Sequence, residues 1–546
     1  MTSLRQNLEA MGAPFPDFNA EFHLLPLLRP FPEAIAAIAP PQAELAYLEA
    51  HRQPRIAFRS NGVDWVVTTH VLPAAYPRMH DLATSPPSKP LFPLGAGMDV
   101  KPNATTDEVR EAQWALIEEC TRDNPPPTYY PPRTKLDAEI DAEKRRASRQ
   151  PQLWTVVERI VPMRTVQEQR AIDRAGQVGL TVVAAHANGM HKETYEPFFR
   201  ALTEQLKAKV EDATPRIDEI WSIDTIDSGD GGLLNGRILG RCGHWLDQPR
   251  DILNFLQYHL PQATASIAEQ GKSTSSAKKQ SGIQAGAASQ PDAGLRPTWP
   301  TRILPRLNKG EGLRGRRVVL MGHSYSGNAV AMISALEPKL MERTICIDPV
   351  IISVKCWEDG IVGPWPSQAL LGRGAAIRQE VWPSSAAALA SFKKKPFFTP
   401  WDPHALELFV RFGLRPTKPD PSLSGSGGPQ TLAMNKWREA EAFNQNWLAR
   451  YCWALLERGR GMSSETRSPL HLFTMSASTL AGIYCESPDT AAQLTNLFRA
   501  QTSESTARQL EGGHLVVQQQ PAVLAAAIID ILSGSRSSST VPQARL

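Results

Sequence analysis

The stretch "RRVVLMGHSYSGNAVAMISALEP" occupies residues 316–338. Its first part is an apolar run of the kind that forms a strand covered on both faces of a parallel sheet. Its second part spaces apolar residues as a helix does. Gly322, Ser324 and Gly327 lie between the two. Small residues there let the chain turn sharply from strand to helix, on a strained backbone that exposes the hydroxyl of Ser324. The N–H of Tyr325 then faces the place where an oxyanion would develop. Ser324 is the expected nucleophile and Tyr325 the first oxyanion donor. Ser326 stands where such elbows usually carry glycine. It is also the alternative nucleophile, although its own flanks, Ser324 and Asn328, lack glycine.

An alkyl hydroxyl is a weak nucleophile at neutral pH and needs a base, a group that orients the base, and donors for the oxyanion. The base is expected late in the chain, after the last strand. "LEGGHLVVQQQP" (510–521) places His514 behind two glycines and ahead of an apolar helix start. For the acid, the strand before that histidine ends "FTMSAS", with no carboxylate at residues 476–478. Glu486 and Asp489 follow in a loop and are alternative acids. Asp348 ends the buried strand "RTICIDPV" (343–350), on the edge where loops converge, and is preferred. The second oxyanion donor should come from the loop after "LTVVAAH" (180–186), which points to the N–H of Asn188. Ala187 stands where glycine is usual, and His186 reads as a loop-shaping residue.

The remaining apolar runs give the fold class. "DWVVTTHVL" (64–72) and "WTVVERIVP" (154–162) read as opening antiparallel strands. Runs at 180–189, 217–224, 316–324, 343–350, 470–478 and about 505–511 read as the rest of a mostly parallel sheet. Helical patterns at 195–210 and 248–260 fall between them. Alternation of this kind predicts a doubly wound α/β sheet, here of the α/β-hydrolase type. Residues 1–60 read as an N-terminal extension. The core occupies 61–350 and 461–533, with insertions at 81–150 and 262–298. The first insertion is proline-rich, with a helix expected at 106–120 and capping-box spacing at Thr105 and Glu108. The second is of low complexity and is expected to form a disordered loop. Residues 351–460, inserted after the sixth strand, read as a helical cap. Trp357, Trp365, Trp382, Phe397 and Phe398 make it suited to a bulky apolar acyl group.

Composition narrows the function classes. A net charge of +4 over 546 residues argues against a dedicated nucleic-acid binder. The six cysteines include no CxxC pair, so neither a zinc site nor a disulfide framework is expected. The proposed chemistry calls for no cofactor. The longest apolar run, 522–532, is about half of the roughly 20 residues a membrane span needs. No secretory leader is read in the first fifteen residues.

Five stretches together resemble a specific group, the fungal peroxisomal α/β-hydrolases. They are "HANGMHKETYEPF", "IWSIDTIDSGDGGLLN", "WLDQPRDILNFL", "GHSYSGNAVAMISALEPKLMERTICIDPVI" and "LEGGHLVVQQQP". The group includes an acyl-CoA hydrolase of mycophenolic acid biosynthesis, a yeast peroxisomal lipase and hydrolases of fungal toxin pathways. The resemblance covers about 180–352 and 505–521, with a fainter match in the cap. It implies that the acid follows the strand after the elbow, which favours Asp348. Ala187 and Ser326 depart from the group's glycines.

The expected function is hydrolysis of an ester or thioester through an acyl-enzyme, on an acyl-CoA or a related substrate. A lipase, an acyltransferase and an inactive binding scaffold are the alternatives. Serine at the elbow disfavours dehalogenase and epoxide hydrolase chemistry, where that place carries aspartate. Residues 534–546 read as a flexible tail. Its Ala544, Arg545 and Leu546 form a small–basic–leucine tripeptide, which implies a peroxisomal location and an import receptor as partner.

Overall fold

The structure is a computed structural model, and it describes residues 40–79, 105, 150–175, 178–208, 215–240, 243–262, 302–353, 371–372, 374–375, 378–417, 428–444, 449–460, 467–477 and 488–534. The expected helix at 106–120, the low-complexity run over 263–298, Trp357, Trp365, Glu486 and residues 535–546 lie outside them.

The chain opens with helix α1 (Gln42–His51), then β1 (Arg55–Ser60) and β2 (Val63–Pro73). Asn61 and Gly62 connect these strands with φ of 50° and 80°. Positive φ at both central residues makes the tight turn whose twist matches that of the flanking strands. Strand β1 thus begins within the segment read as an N-terminal extension. β3 (Trp154–Pro162) follows, then α2 (Val166–Ala175), β4 (Leu180–Ala185), α3 (Glu196–Ala208), β5 (Ile217–Ile223) and α4 (Gly229–Asn235). Helix α5 (Asp247–Asn254) continues as a π-helical turn over Phe255–His259. A two-residue β6 (Arg302–Ile303) precedes β7 (Arg317–His323), α6 (Tyr325–Leu336) and β8 (Arg343–Ile347).

The main sheet has the order β1-β2-β3-β5-β4-β7-β8-β12-β13, where β12 is Leu470–Met475 and β13 is Thr506–Leu510; β6 pairs with β2 off this path. β1, β2, β3 and β5 pair antiparallel in turn. From β5 onward every pairing along the path is parallel. Side chains alternate across the sheet as strand geometry requires. Val318 and Leu320 enter one hydrophobic cluster together with residues of α5 and α6. Val319 and Met321 enter the other, with residues of α3 and of α13 (Pro521–Leu532). Both faces are covered, which is why these strands read as near-continuous apolar runs. This is the α/β-hydrolase fold, a doubly wound sheet that is mostly parallel.

The order reverses between β4 and β7, because β5 lies outside β4 while β8 lies outside β7. Loops at the carboxyl ends of strands diverge at such a point and leave a crevice there. Ser324 follows β7 and Asn188 follows β4, so both stand at that crevice.

The cap follows β8, the sixth of the strands expected from the sequence. Among its described residues are the helices α7 (Ser385–Lys393), α8 (Pro403–Gly413) and α9 (Lys436–Asn444). A small antiparallel sheet joins them, in the order β10 (Leu414–Pro416), β11 (Gln430–Leu432), β9 (Val381–Trp382). The next helix, α10 (Ala449–Arg458), lies within 351–460, but its Ala449, Cys452 and Leu456 belong to the core cluster that includes α6. The cap has its own core of Trp382, Phe392, Phe398, Trp401 and Phe409. Ala187, Met190 and Leu515 join it, so the cap packs on the loop of Asn188 and on the residue next to His514. α11 (Pro488–Arg499) and α12 (Val516–Gln519) flank β13.

Candidate active site

The elbow is built as the small residues require. Ser324 has φ 59° and ψ −117°, a left-handed conformation that costs a non-glycine residue roughly 1–3 kcal/mol. Two backbone bonds to the end of β8 hold it there. Its N–H donates to Ile347 O at 2.9 Å, and its carbonyl accepts from Val350 N at 3.1 Å. A Cβ on Gly322 would lie 2.3 Å from Ser326 O, so only glycine fits at that position. A Cβ on Gly327 would lie 2.7 Å from Pro349 Cβ, so the close approach at the acid strand is made by glycine as well.

The Ser326 hydroxyl is engaged elsewhere than at His514. It is fully buried, donates to His186 O and accepts from Gln248 Nε2. Its hydroxyl ties the elbow to the loop after β4 and to α5. That engagement separates the two serines, because Ser324 Oγ meets the His514 imidazole and Ser326 Oγ does not.

His514 Nε2 lies 2.8 Å from Ser324 Oγ, and His514 Nδ1 lies 2.7 Å from Asp348 Oδ2. The side chain of Asp348 is wholly buried, while that of His514 keeps 18% exposure toward the cavity. Asp348 also adopts positive φ, 39°, in a region where aspartate is enriched among non-glycine residues. Its N–H donates to Phe473 O at 2.7 Å, and its Oδ1 accepts from Met475 N at 3.2 Å. The carboxylate is thereby aimed at the imidazole from two neighbouring strands. Asp489 lies at the start of α11, whereas Asp348 is the carboxylate bonded to His514.

The loop after β4 brings Asn188 to the cavity wall opposite the elbow. The Ala187 N–H donates to Tyr195 Oη at 3.0 Å and is therefore already engaged. Asn188 and Tyr325 both line the cavity beside Ser324. Among the described residues neither of their N–H groups meets a protein acceptor. The Asn188 side chain is drawn back by a bond from its Nδ2 to Glu439 O at 3.1 Å. His186 shapes this loop, as its sequence position suggested. Its Nδ1 donates to Ala187 O at 2.8 Å and its Nε2 accepts from Thr225 N at 3.1 Å. Burial pushes its pKa down to about 4, so the ring is neutral. Further along, the buried Lys192 ammonium bonds Glu193, Asp224 and Asp230 at 2.8, 2.8 and 2.7 Å. Burial opposes that charge, but Asp224, Asp230 and Glu193 outweigh it and hold Lys192 well above its usual range. The loop is thus clamped to the end of β5 and to α4.

The cavity has a volume of about 330 Å³ and an apolar wall of Met190, Trp245, Val350, Leu371, Phe397 and Phe443. Trp245 meets the Tyr325 ring edge-on, with centroids 4.7 Å apart. Of the aromatics expected to receive an acyl group, Phe397 lines this cavity and is 53% exposed at its rim. Trp382 and Phe398 instead pack inside the cap. No cluster of metal-ligating side chains occurs among the described residues.

No family model matches the chain. Over 286 residues it is 24% identical to the type I acyl-CoA thioesterase mpaH of Penicillium roqueforti, covering 50% of this chain and 51% of that protein. The chain resembles fungal acyl-CoA thioesterases. It is also 27% identical over 125 residues to the abhydrolase domain-containing protein AFT2-1 of Alternaria alternata, covering 22% of this chain and 42% of that one. The chain spans about half the length of the curated relatives it matches. Among solved structures, the peroxisomal α/β-hydrolase Lpx1 of Saccharomyces cerevisiae matches at a TM-score of 0.46 and 18% identity, covering 72% of this chain and 87% of its own.

His323, Tyr195, Gln248 and Trp245 carry parts of the site that sequence reasoning did not assign. His323 lay inside the elbow motif itself, and Tyr195 and Trp245 lay inside stretches that carried the resemblance. Proximity to Ser324 in sequence was the available signal for His323. Gln248 also lay inside one of those stretches, but its contact with the elbow arises only through the packing of α5 on α6.

Proposed function

We propose that the chain is a serine hydrolase that cleaves an acyl ester or thioester through an acyl-enzyme. The observation that carries this reading is the placement of His514 between Ser324 Oγ and Asp348, at 2.8 and 2.7 Å. Ser324 Oγ attacks the acyl carbonyl while His514 Nε2 takes its proton. Asp348 keeps the other proton on Nδ1 and stabilises the imidazolium that forms. The Tyr325 and Asn188 N–H groups receive the oxyanion. His514 returns its proton to the leaving thiol or alcohol. A water then repeats the attack and releases the acid, which regenerates the Ser324 hydroxyl.

An apolar acyl group suits the cavity wall, and an acyl-CoA is the favoured donor on the similarity to the Penicillium thioesterases. Fluorophosphonate labelling of Ser324, followed by a panel of acyl esters and acyl-CoAs, tests the proposal. Failure of both labelling and turnover would leave the hydrolase reading without support. We further propose a peroxisomal location, from the tripeptide Ala544, Arg545 and Leu546. An N-terminally tagged chain that stays diffuse in the cytosol would refute it.

A further inference from the structure

His323, the residue before Ser324, joins the two loops that face the serine from opposite sides. The ring is fully buried at the end of β7. Its Nε2 lies 2.7 Å from the backbone carbonyl of His514. Its Nδ1 lies 2.8 Å from Tyr195 Oη, which in turn lies 3.0 Å from the Ala187 N–H.

The chemistry of the end groups assigns every proton in this chain. The His514 carbonyl can only accept, so His323 Nε2 must carry a hydrogen. The Ala187 amide can only donate, so Tyr195 Oη accepts there. The Tyr195 hydroxyl hydrogen is then directed to the lone pair of His323 Nδ1. Both ring nitrogens are satisfied in the neutral ring. Burial, reinforced by the nearby His514, pushes His323 well below its usual pKa and keeps it in that form.

We propose that His323 is a positioning residue that sets the base loop and the oxyanion loop at fixed distances from the nucleophile. Among the described residues the bond from its Nε2 is the hydrogen bond that ties the His514 backbone to β7. Gly512, with φ 139°, and Gly513 lead into His514, and the Ala477 N–H holds the Gly512 carbonyl at 2.9 Å two residues earlier. The bond from His323 extends that anchoring to the residue whose ring must span Ser324 and Asp348. The opposite arm, through Tyr195, holds Ala187 and therefore the next N–H, that of Asn188. The elbow residue thus reports the position of each loop to the other. The catalytic consequence rests on the serine-hydrolase reading above, whereas the geometry does not.

The two ring nitrogens can be replaced separately. Asparagine puts an acceptor near the Nδ1 position but no donor near Nε2, while glutamine reaches the Nε2 position with a donor. The full-length protein is studied as wild type, His323→Gln, His323→Asn and Tyr195→Phe. The first measurement is the far-downfield proton resonance of the His514 Nδ1–H bonded to Asp348, which needs no substrate. It is expected in wild type and in His323→Gln, and is expected to be lost in His323→Asn at unchanged melting temperature. The second measurement is turnover. A displacement near 1 Å costs about 100-fold in rate. His323→Asn should lose that much in kcat with KM little changed, and His323→Gln should recover most of it. Tyr195→Phe should lower kcat while keeping the resonance, because it releases only the oxyanion arm. A wild-type spectrum without the resonance, or a His323→Asn spectrum that keeps it, overturns the proposal. A wild type that shows the expected resonance pattern but neither labels nor turns over substrate sinks the hydrolase reading and leaves the positioning role standing.

Discussion

Replacing Asp348 with asparagine tests the site most sharply, because the change keeps the shape and alters one proton. Asp348 performs two tasks with two oxygens. Oδ1 accepts from the Met475 N–H at 3.2 Å and Oδ2 accepts from His514 Nδ1 at 2.7 Å. An asparagine must keep its oxygen toward Met475, because an amide NH₂ cannot accept there. Its NH₂ is then presented to His514 Nδ1. That nitrogen must become the acceptor, so the ring proton moves to Nε2 and points at Ser324 Oγ. The imidazole can no longer take the serine proton. An acid-to-amide change in a serine triad lowers kcat by about 10⁴, equivalent to about 5 kcal/mol of transition-state stabilisation. The fold should tolerate it. Asparagine is at ease at a φ of 39°, and both polar atoms keep partners. The expected result is a loss near 10⁴ in kcat on an acyl ester, with matching loss of fluorophosphonate labelling rate and a melting temperature within about 2 °C of wild type. Retention of more than about a tenth of kcat would refute the tautomer argument. A dead Asp489→Asn or Glu486→Gln beside an active Asp348→Asn would move the acid to the later loop.

Ser324→Ala should abolish fluorophosphonate labelling, whereas Ser326→Ala should retain it and lose stability by about 1–3 kcal/mol, because His186 O and Gln248 are left without their partner. Denaturant melts read beside gel labelling separate the two effects, and labelling that depends on Ser326 would displace the site by two residues. Gly322→Ala places a methyl 2.3 Å from Ser326 O, so the elbow must open and kcat should fall by about 100-fold or more; a fully active variant would show that the turn has slack. Burial holds His70, His186, His259 and His471 at about 3, 4, 4 and 3, below the unfolded value of 6.5. The unfolded chain therefore takes up their protons first, and their contribution to stability is complete above pH 6.5 and is lost as pH falls toward 4. Each should cost about 1.3 kcal/mol between pH 7 and 5.5, and His259→Gln should remove one such share from the pH dependence of unfolding. An unchanged slope in that variant would show that His259 is not held neutral.

Strand content was legible wherever burial on both faces wrote a continuous apolar run. Strands β4, β5, β7 and β8 fall where those runs lie. β1 was missed for the converse reason. "RIAFRS" is a half-exposed edge strand whose pattern is interrupted by polar residues. The Asn61-Gly62 pair was nevertheless a hairpin signal that its two positive φ values now explain. The sequence singled out Ser324, Asp348 and His514, which the structure brings together, because each sits at the end of a strand or beside a glycine-rich turn, where backbone geometry dictates residue type. His323 and Tyr195 were not legible as partners. Their roles are set by contacts 128 residues apart in the chain, and such contacts leave no local period or spacing. Ser326 shows why the absent second glycine did not abolish the elbow. The steric demand at this turn falls on Gly322 and Gly327, where a Cβ would strike backbone or Pro349. Position 326 faces a gap between His186 and Gln248 that a hydroxymethyl fills with two hydrogen bonds. A glycine there would leave those two groups to find other partners, so serine at this site stabilises the same turn that glycine would only permit.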